Sequence, residues 1–351
     1  MSRNNKNYLS LMRALAKEER NKGFFRQLFE MALLFLRSRL GPGYYLLAQM
    51  YRRDASLAEV LGYLSVRQYN KRVFKLNNRL YHRSSQNKVI EKAVLTAYGQ
   101  PTPELLGHYR EVSGFTTTGA PLRTGAELKG LLNQQAPGSR LCFKLTEAWG
   151  GEGFRAIECL ENDLIRDLSS QEAVSVDAFV SSVSPGAKAG ILIERYLEQH
   201  ADYASYNRSS VNTLRVLVVR KANDTVVCVG AFLRVGGTGS LVDNMTAGGL
   251  SYPIDLDTGV LKAGLHKYKL GDSYDRNPEK NLTMTGIRLP MFEEAIELAR
   301  SSLLAFPETR FVGADIAVSK DGPVVLELNI QPDYNGFAYI RCPSRAALSL
   351  T

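Results

Sequence analysis

The chain has 351 residues, of which 44% are hydrophobic and 23% are charged. This length and composition indicate a globular protein of two or three units, and they exclude a peptide-sized scaffold, a disordered chain and a membrane-embedded protein. The first eight residues are polar and basic, so we expect no secretory signal peptide. Four isolated cysteines favour reduced thiols in the cytoplasm over a disulfide framework or a zinc site, and they are Cys142, Cys159, Cys228 and Cys342.

The net charge of +9 is concentrated at one end of the chain. Residues 1–92 contain 19 Lys and Arg against 6 Asp and Glu, a net charge of +13, whereas the remaining 259 residues contain 25 against 29, a net charge of −4. This shift predicts a boundary near residues 84–88, with a basic N-terminal region over residues 1–85.

The basic region has the periodicity of helices. Apolar side chains recur at steps of three or four at Phe25, Leu28, Phe29, Ala32, Leu33 and Leu36. Basic residues border this stripe and cover a later helix, and they are Arg26, Arg37, Arg39, Arg67, Lys71, Arg72, Lys75 and Arg79. Three interpretations are open: a helical cap on the following domain, a peripheral contact with an anionic membrane at its cytoplasmic face, and a nucleic-acid site. Nucleic acid is the least favoured partner because no recognised binding module accompanies the charge.

After residue 85 the pattern changes to mixed helix and strand. Helices are predicted over residues 88–98, where Gly99 and two prolines follow, and over residues 291–306. Strands are predicted over residues 140–146, 189–197, 213–220, 225–235, 310–318 and 323–330. This order predicts an α+β protein behind a helical N-terminal region.

The last two strands carry the sharpest chemical signal. In the segment between them, Gly322 suits a three-residue hairpin loop over residues 320–322. That loop places Asp315 opposite Glu327, and Glu327 shares a strand face with Asn329. The opposite, apolar face is then formed by Val324, Leu326, Leu328 and Ile330.

These polar residues predict a metal site in the hairpin. Two carboxylates and an amide inside apolar strands would repel one another and lack solvation unless a hard cation neutralised them. Mg²⁺ prefers oxygen ligands and commonly bridges carboxylates to nucleotide phosphates. We therefore expect Mg²⁺ at Asp315, Glu327 and Asn329; the alternative is a hairpin edge whose polar face is hydrated.

A second signal combines a lysine with glycines. The strand that carries Lys144 runs into a loop with Gly150, Gly151 and Gly153, whose backbone N–H groups can approach phosphate oxygens closely. The lysine precedes the glycines, so this is not a Walker A loop. Alone, the segment is equally compatible with an ordinary hairpin. Together with a magnesium site, it predicts a cradle for a nucleotide.

These segments, with the hydrophobic strand over residues 191–197, resemble the ATP-grasp superfamily. The order is a lysine strand, a glycine loop, a strand that ends in a Glu-containing hinge, and a metal hairpin with Asp and Glu-x-Asn. Residues 210–217, 230–236 and 242–249 look most similar to the branch called sugar-transfer-associated ATP-grasp proteins. The resemblance covers about residues 87–333 and implies the ATP-grasp fold, in which two α+β subdomains, here residues 86–197 and 198–351, enclose ATP.

The resemblance implies a role for each matching residue. Lys144 would contact the α- and β-phosphates, the loop over residues 150–153 would close over them, and Lys88 would be the earlier phosphate-side lysine. Ile193 and Leu197 would flank the adenine ring. The hinge that reads the adenine edge through its backbone would comprise Glu194, Arg195, Tyr196 and Leu197. Glu198 and Asp202 are both candidates for the ribose-binding acid.

Two arginines complete the implied site. Arg215 would project toward the γ-phosphate, where a fixed guanidinium stabilises charge on the transferring group. Arg234, Asp243 and Asn244 are candidates for acceptor binding, unless the glycines beside them only form a mobile turn.

The resemblance implies an ATP- and Mg²⁺-dependent carboxylate–amine ligase that acts through an acyl phosphate. The branch further suggests a sugar- or glycan-linked carboxylate as the substrate. Two alternatives are open. A small-molecule kinase would use the same lysine, arginine and magnesium, and a non-catalytic ATP-binding protein would dock on an anionic surface.

Overall fold

The structure is a computed structural model that describes residues 8–148, 150–237, 239–243, 248–277 and 281–351. The described residues form two seven-stranded antiparallel sheets, a two-stranded sheet and thirteen α-helices. None of the described helices has both the length and the apolar character needed to cross a membrane. The predicted α+β class with a helical N-terminal region is confirmed.

The N-terminal region consists of helices that pack on the second sheet. The helices are α1 (Tyr8–Leu15), α2 (Phe24–Ser38), α3 (Pro42–Leu47), α4 (Leu57–Leu61) and α5 (Val66–Leu76). Capping boxes at Ser56 and Ser65 begin α4 and α5. Their buried side chains share a core with apolar residues of the second sheet, which are Leu217, Val219, Phe232 and Phe311. These helices therefore cap the second sheet, which is the contact that the first of the three interpretations expected.

Two further helices lead toward the first sheet. A 3₁₀ turn at Arg79–Tyr81 precedes α6 (Arg83–Gln86) and α7 (Lys88–Ala97). Asn87 caps α7, because its side-chain oxygen accepts hydrogen bonds from the backbone of the first turn. Leu95 of α7 is buried in the core of the second sheet. This helix therefore packs with the second sheet, although its residues fall in the range 86–197 expected for the first subdomain.

The first sheet has the strand order β2-β1-β7-β3-β4-β5-β6. Its strands are β1 (Leu105–Tyr109), β2 (Phe115–Thr116), β3 (Arg140–Leu145), β4 (Arg155–Cys159), β5 (Leu164–Asp167), β6 (Ala173–Ser175) and β7 (Ile191–Arg195). Helices α8 (Gly125–Asn133) and α9 (Val176–Val183) cover one face, where the rings of Phe143 and Phe179 meet edge to face with centroids 5.0 Å apart. Because side chains alternate along a strand, Lys144 lies on the other face.

The second sheet has the strand order β12-β11-β10-β9-β8-β15-β16. Its strands are β8 (Thr213–Arg220), β9 (Val226–Val235), β10 (Leu250–Pro253), β11 (Gly264–His266), β12 (Lys269–Tyr274), β15 (Phe311–Ser319) and β16 (Gly322–Asn329), while β13 (Arg276–Asn277) pairs with β14 (Leu282–Thr283). The remaining helices are α10 (Ala201–Tyr206), α11 (Phe292–Leu304), α12 (Gly336–Tyr339) and α13 (Ser344–Ala347). Val216 and Val218 of β8 face the core under α11, whereas Leu217 and Val219 face the N-terminal helices. Every predicted strand and both predicted later helices are present, with ends within two residues of the prediction.

The β15–β16 hairpin differs from the predicted hairpin at its loop. Ser319 pairs with Gly322, so the loop has two residues rather than three. A bulge at Leu326 then restores the predicted pairing of Asp315 with Glu327. Because of this bulge, the prediction of the apolar face was wrong at two positions. Val325, Leu328 and Ile330 are buried, whereas Val324 is only partly buried and Leu326 lines a cavity.

Candidate functional site

A cavity of about 470 Å³ lies between the two sheets. The first sheet lines it with Cys142, Lys144, Glu194 and Arg195, and the glycine loop lines it with Gly150 and Gly151. The second sheet lines it with Thr213, Arg215, Arg234, Asp315, Glu327 and Asn329. Lys88 also lines this cavity. The lysines, the glycine loop and the polar hairpin residues singled out in the sequence are therefore brought together.

Lys144 belongs to a buried ion-pair triad on the first sheet. Its Nζ lies 2.5 Å from Glu194 Oε2, and Lys92 Nζ lies 2.5 Å from Glu194 Oε1. Burial alone would raise the pKa of Glu194 and lower that of Lys144. The attraction between them outweighs burial, so the pKa of Glu194 lies below its usual range and that of Lys144 lies above it. Lys144 is therefore charged at neutral pH and ready to meet an anion.

Lys92 was not predicted as a site residue from the sequence, and the surroundings of the Glu194 side chain differ from those that the resemblance implied. The resemblance placed Glu194 in the adenine hinge through its backbone, but its side chain is 1% exposed and is held between two ammonium groups. Lys92 also donates a hydrogen bond to the carbonyl of Pro103 at 2.7 Å. Lys88 and Lys92 are four residues apart on α7 and share a helix face, which is the signal that could have indicated Lys92.

Lys88 joins the base of the glycine loop to the hairpin. Its Nζ donates to the Ala148 carbonyl at 2.8 Å and lies 3.8 Å from Glu327 Oε1. The side chain is only 16% exposed, so Lys88 is not a solvated helix residue.

The glycine loop adopts a conformation that favours glycine. Gly150, Gly151 and Gly153 have φ values of 64°, 81° and 67°, which side chains with a Cβ rarely adopt. A Cβ on Gly151 would lie 2.8 Å from the side chain of Val242. The loop thus packs closely against Val242, which precedes Asp243 in the sequence. Asn244, the remaining candidate there, lies outside the described residues.

Two arginines neutralise Asp315. Arg215 pairs with Asp315 through both Nε and Nη2, and Arg234 Nη1 lies 3.1 Å from Asp315 Oδ2. Burial would raise the pKa of Asp315, but the two guanidinium groups outweigh it and hold the pKa below its usual range. The expectation that only a cation could compensate these carboxylates was therefore wrong for Asp315. The reason is the sheet register, in which Arg215 of β8 pairs directly with Asp315 of β15.

Asp243, which also lines the cavity, extends this network. It accepts hydrogen bonds from the backbone N–H and the hydroxyl of Thr213, and its Oδ1 lies 2.7 Å from Arg234 Nη2. Burial raises the pKa of Asp243 despite this arginine. Arg234 is thus fixed between Asp243 and Asp315, and both arginines are presented to the cavity in a single orientation.

The hairpin presents oxygens that suit Mg²⁺. Within the described part of the chain, no cluster of three or more His, Cys, Asp or Glu side chains could hold a metal; the candidate set has two carboxylates and an amide. Asn329 donates its Nδ2 to Asp315 and to the Gly313 carbonyl, both at 3.3 Å, so its Oδ1 remains as an oxygen ligand. The Glu327 carboxylate is 31% exposed and lines the cavity. These oxygens fit a cation that completes its shell with phosphate oxygens and water.

Three residues of β7 and the segment after it do not lie where the implied adenine and ribose site needs them. Ile193 is fully buried in the core of the first sheet and cannot flank a ring in the cavity. Glu198 and Asp202, the candidate ribose-binding acids, are both largely exposed and do not line the cavity. Glu198 instead pairs with Lys320 at 3.1 Å, because the segment crosses the tip of the hairpin.

The hinge itself does reach the cavity. Arg195, Tyr196 and Leu197 line it, but the backbone N–H groups of Arg195 and Tyr196 already donate to the carbonyls of Glu104 and Arg140. These two N–H groups are therefore engaged within the sheet, and base recognition by this hinge would need its other backbone groups.

The end of the cavity away from the first sheet contains four polar residues that were not predicted from the sequence. Gln331, Asp333 and Tyr339 follow the β15–β16 hairpin, and Lys267 lies in the turn between β11 and β12 with its Nζ 3.8 Å from Asp333. The N-terminal helices support this end, because Tyr69 donates to the Pro332 carbonyl at 2.8 Å. Gln331 and Asp333 come soon after the Glu-x-Asn motif, and that position could have indicated them in the sequence.

Glu91 lies behind the hairpin and clamps β16. It accepts hydrogen bonds from the Ser85 hydroxyl at 2.6 Å and from the Leu328 N–H at 3.2 Å. Burial, with a smaller contribution from the charge of Glu327, raises its pKa from 4.5 to about 8. The folded protein therefore keeps this proton up to about pH 8, whereas the unfolded chain releases it near pH 4.5.

This difference predicts a pH-dependent stability. As the pH rises from 4.5 to 8, the folded state binds more protons than the unfolded state, so the wild type should lose stability relative to Glu91→Gln by a few kcal/mol. Urea unfolding of both proteins with EDTA at pH 5 and pH 8 checks this. The effects of other charged groups on stability are the same in both proteins and cancel in the comparison. A stability difference between the two proteins that is the same at both pH values would contradict the raised pKa of Glu91.

A family comparison identifies the class of protein to which this arrangement belongs. The family model described as sugar-transfer-associated ATP-grasp matches residues 67–340, which is more than half of the chain. The chain therefore belongs to this family, and the resemblance found in the sequence is confirmed. Helices α1–α4 lie outside the match.

Several solved structures are distantly similar to this chain. N5-carboxyaminoimidazole synthase from Aspergillus clavatus is 14% identical with a TM-score of 0.45, over 82% of this chain and 58% of that one. The L-amino acid ligase from Bacillus licheniformis is 10% identical with a TM-score of 0.39, over 76% and 48%. The D-alanine–D-alanine ligase from Bacillus anthracis, complexed with ATP, is 13% identical with a TM-score of 0.38, over 77% and 70%. The chain thus spans about half the length of the first two. A search of curated protein sequences gave no match, so the family assignment rests on the family model.

Proposed function

We propose that the protein is an ATP- and Mg²⁺-dependent ligase that joins a carboxylate to an amine through an acyl phosphate. The observation that carries this proposal is that Lys88, Lys144 and the glycine loop share one cavity with the polar cluster of Arg215 and Glu327. Phosphoryl transfer needs this combination of charges, because negative charge spreads over the transferring oxygens. The subdomains at residues 86–197 and 198–351 would enclose the nucleotide.

The residues divide by task in this proposal. Lys144 and Lys88 hold the phosphates, and Arg215 and Arg234 stabilise charge on the γ-phosphoryl oxygens. Asp315, Glu327 and Asn329 would hold Mg²⁺, which supplies positive charge between the phosphates when bound. Because both arginines already contact Asp315, they are preorganised and require little rearrangement as charge develops.

The reaction has two steps. A carboxylate oxygen of the substrate bonds to the γ-phosphorus while the bond from that phosphorus to the bridging oxygen breaks, and ADP leaves. The amine nitrogen then bonds to the acyl carbon, phosphate departs and the amine releases a proton. The acyl phosphate is sensitive to water, and the glycine loop packed against Val242 would exclude water from the site.

We also propose a sugar-linked carboxylate as the substrate. The family description links these proteins to sugar transfer, and the far end of the cavity offers groups suited to hydroxyls and to an anion. They are Gln331, Asp333, Tyr339 and Lys267.

Hydroxylamine trapping tests the proposal. The protein is incubated with ATP, Mg²⁺, hydroxylamine and mixtures of carboxylic acids that include uronic acids, and ADP and hydroxamate are measured together. We expect both to form in equal amounts. A phosphorylated product that is inert to hydroxylamine would indicate a kinase instead, and ATP binding without ADP release across acid and amine mixtures would indicate a non-catalytic ATP-binding protein.

A further inference from the structure

Helix α2 has its apolar stripe on the outside. Phe25 is 83% exposed, Phe29 59% and Leu36 70%, and Ala32 between them is also exposed. At about 100° per residue these four side chains fall within an arc of roughly 60°. Over about 17 Å of helix, the protein therefore presents a continuous apolar ridge to solvent. We call these four residues the α2 ridge.

The orientation of α2 is fixed by polar groups on its inner side. The residues of α2 that are buried include Gln27, Glu30 and Ser38. Glu30 pairs with the fully buried Lys22 at 2.6 Å, and it also accepts a hydrogen bond from Tyr45 at 3.2 Å. Rotation of the helix to bury the ridge would leave this buried charge pair without its partners, which is strongly unfavourable. The exposed ridge is therefore a stable feature of the fold.

The charges around the ridge are basic. Arg26 and Arg37 lie on its flank at roughly 100° from its centre, and Arg39 follows directly after the helix with its guanidinium 5.4 Å from the Phe35 ring centroid. Glu30 is the only acidic residue of α2. It is 2% exposed and pairs with Arg26 at 3.0 Å, so the basic charge beside the ridge rests chiefly on Arg37 and Arg39. A surface that matches this helix must therefore be apolar at its centre and negatively charged at its edge.

We propose that the α2 ridge docks the protein on an anionic lipid surface. An amphipathic helix binds such a surface by placing its apolar face at the headgroup boundary, while arginines beside it reach the anionic headgroups. Exposed apolar patches of this kind mark interaction sites. The docking helix lies outside the family match, so the inference is independent of the ligase proposal.

Two other occupants fit the α2 ridge less well. A second copy of the chain paired through the ridge would bring the arginines of both copies together with no exposed acid on α2 to offset them. The seven residues before Tyr8 contain a single apolar side chain, Met1, and cannot supply an apolar cover for the ridge.

Co-sedimentation with vesicles tests the proposal. The full chain is mixed with phosphatidylcholine vesicles that contain either no or 30% phosphatidylglycerol. We expect binding to the anionic vesicles that weakens at high salt. Phe25→Ser/Phe29→Ser/Leu36→Ser should reduce the partition coefficient at least about 30-fold. Arg37→Gln/Arg39→Gln should reduce it about 25-fold, since each basic residue near the surface contributes about fivefold.

A control variant carries three apolar-to-serine changes elsewhere. Val112→Ser/Leu256→Ser/Leu304→Ser replaces three exposed apolar side chains outside α2 and should bind like the wild type. Circular dichroism verifies that each variant is folded. The proposal is overturned if the wild type does not bind anionic vesicles, if the ridge variant binds equally well, or if the ridge variant abolishes a dimer seen by light scattering without changing vesicle binding.

Discussion

Glu327→Gln is expected to remove the effect of Mg²⁺ on nucleotide binding. In the wild type, Mg²⁺ should tighten ATP binding by at least about tenfold, because the cation would bridge the phosphates to the hairpin oxygens. The variant keeps the shape of the side chain but loses a charged oxygen ligand. Its ATP turnover should fall by about 100-fold or more. Titration of a fluorescent ATP analogue with Mg²⁺ or with EDTA measures the binding effect.

The hairpin supplies its own control. Asp321 lies in the exposed loop of the same hairpin, six residues from Glu327, and outside the cavity lining. Asp321→Asn removes the same amount of charge and should leave both the Mg²⁺ effect and the turnover within about twofold of the wild type. If Glu327→Gln retains the full Mg²⁺ effect, the hairpin is not the metal site.

Glu194→Gln is expected to lower the free energy of unfolding by about 3 kcal/mol. The substitution leaves the ammonium groups of Lys92 and Lys144 close together without the carboxylate between them, and both lysines are largely buried. Urea unfolding without nucleotide measures the change.

Glu104→Gln is the matched control for Glu194→Gln. Glu104 pairs with Arg195 at 2.9 Å beside the same sheet, but its side chain is 60% exposed, so its loss should change stability by less than about 1 kcal/mol. Equal effects of the two substitutions would show that the triad is not an important part of the fold. Recovery of the lost stability by added ATP would further indicate that phosphates can replace the carboxylate near the lysines.

The features predicted correctly from the sequence are those encoded locally. Strand β8 has the predicted bounds, because alternation and flanking residues define a strand over a few positions. The pairing of Asp315 with Glu327 was also predicted, but through a three-residue loop. The actual combination of a two-residue loop and a bulge reaches the same pair, and a bulge has no clear signature in a single sequence.

The contacts that the sequence did not reveal join distant positions. Arg215 and Asp315 are 100 residues apart, and they meet because β8 and β15 are neighbours in the sheet. Strand order and register across such distances are not encoded in the local pattern. The compensation of Asp315 by arginines, and the pairing of Lys92 with Glu194, could therefore not be foreseen.

Helix α2 illustrates a different limit of prediction from the sequence. Its periodicity grouped Phe25, Phe29 and Leu36 on one face, and the structure has them on one face. Periodicity does not state which face points inward. That choice depends on Lys22, which precedes the helix and forms a buried pair with Glu30. The ion pair thus turns the polar side of α2 toward the core and the apolar side toward solvent.

A crystal structure with ADP and Mn²⁺ as a stand-in for Mg²⁺ tests the central claim most directly. The account predicts an anomalous Mn²⁺ peak at about 2.1 Å from oxygens of Asp315, Glu327 and Asn329, with the diphosphate between that ion and the ammonium group of Lys144. A nucleotide bound outside the cavity between the sheets, or a metal bound away from β15 and β16, would contradict it.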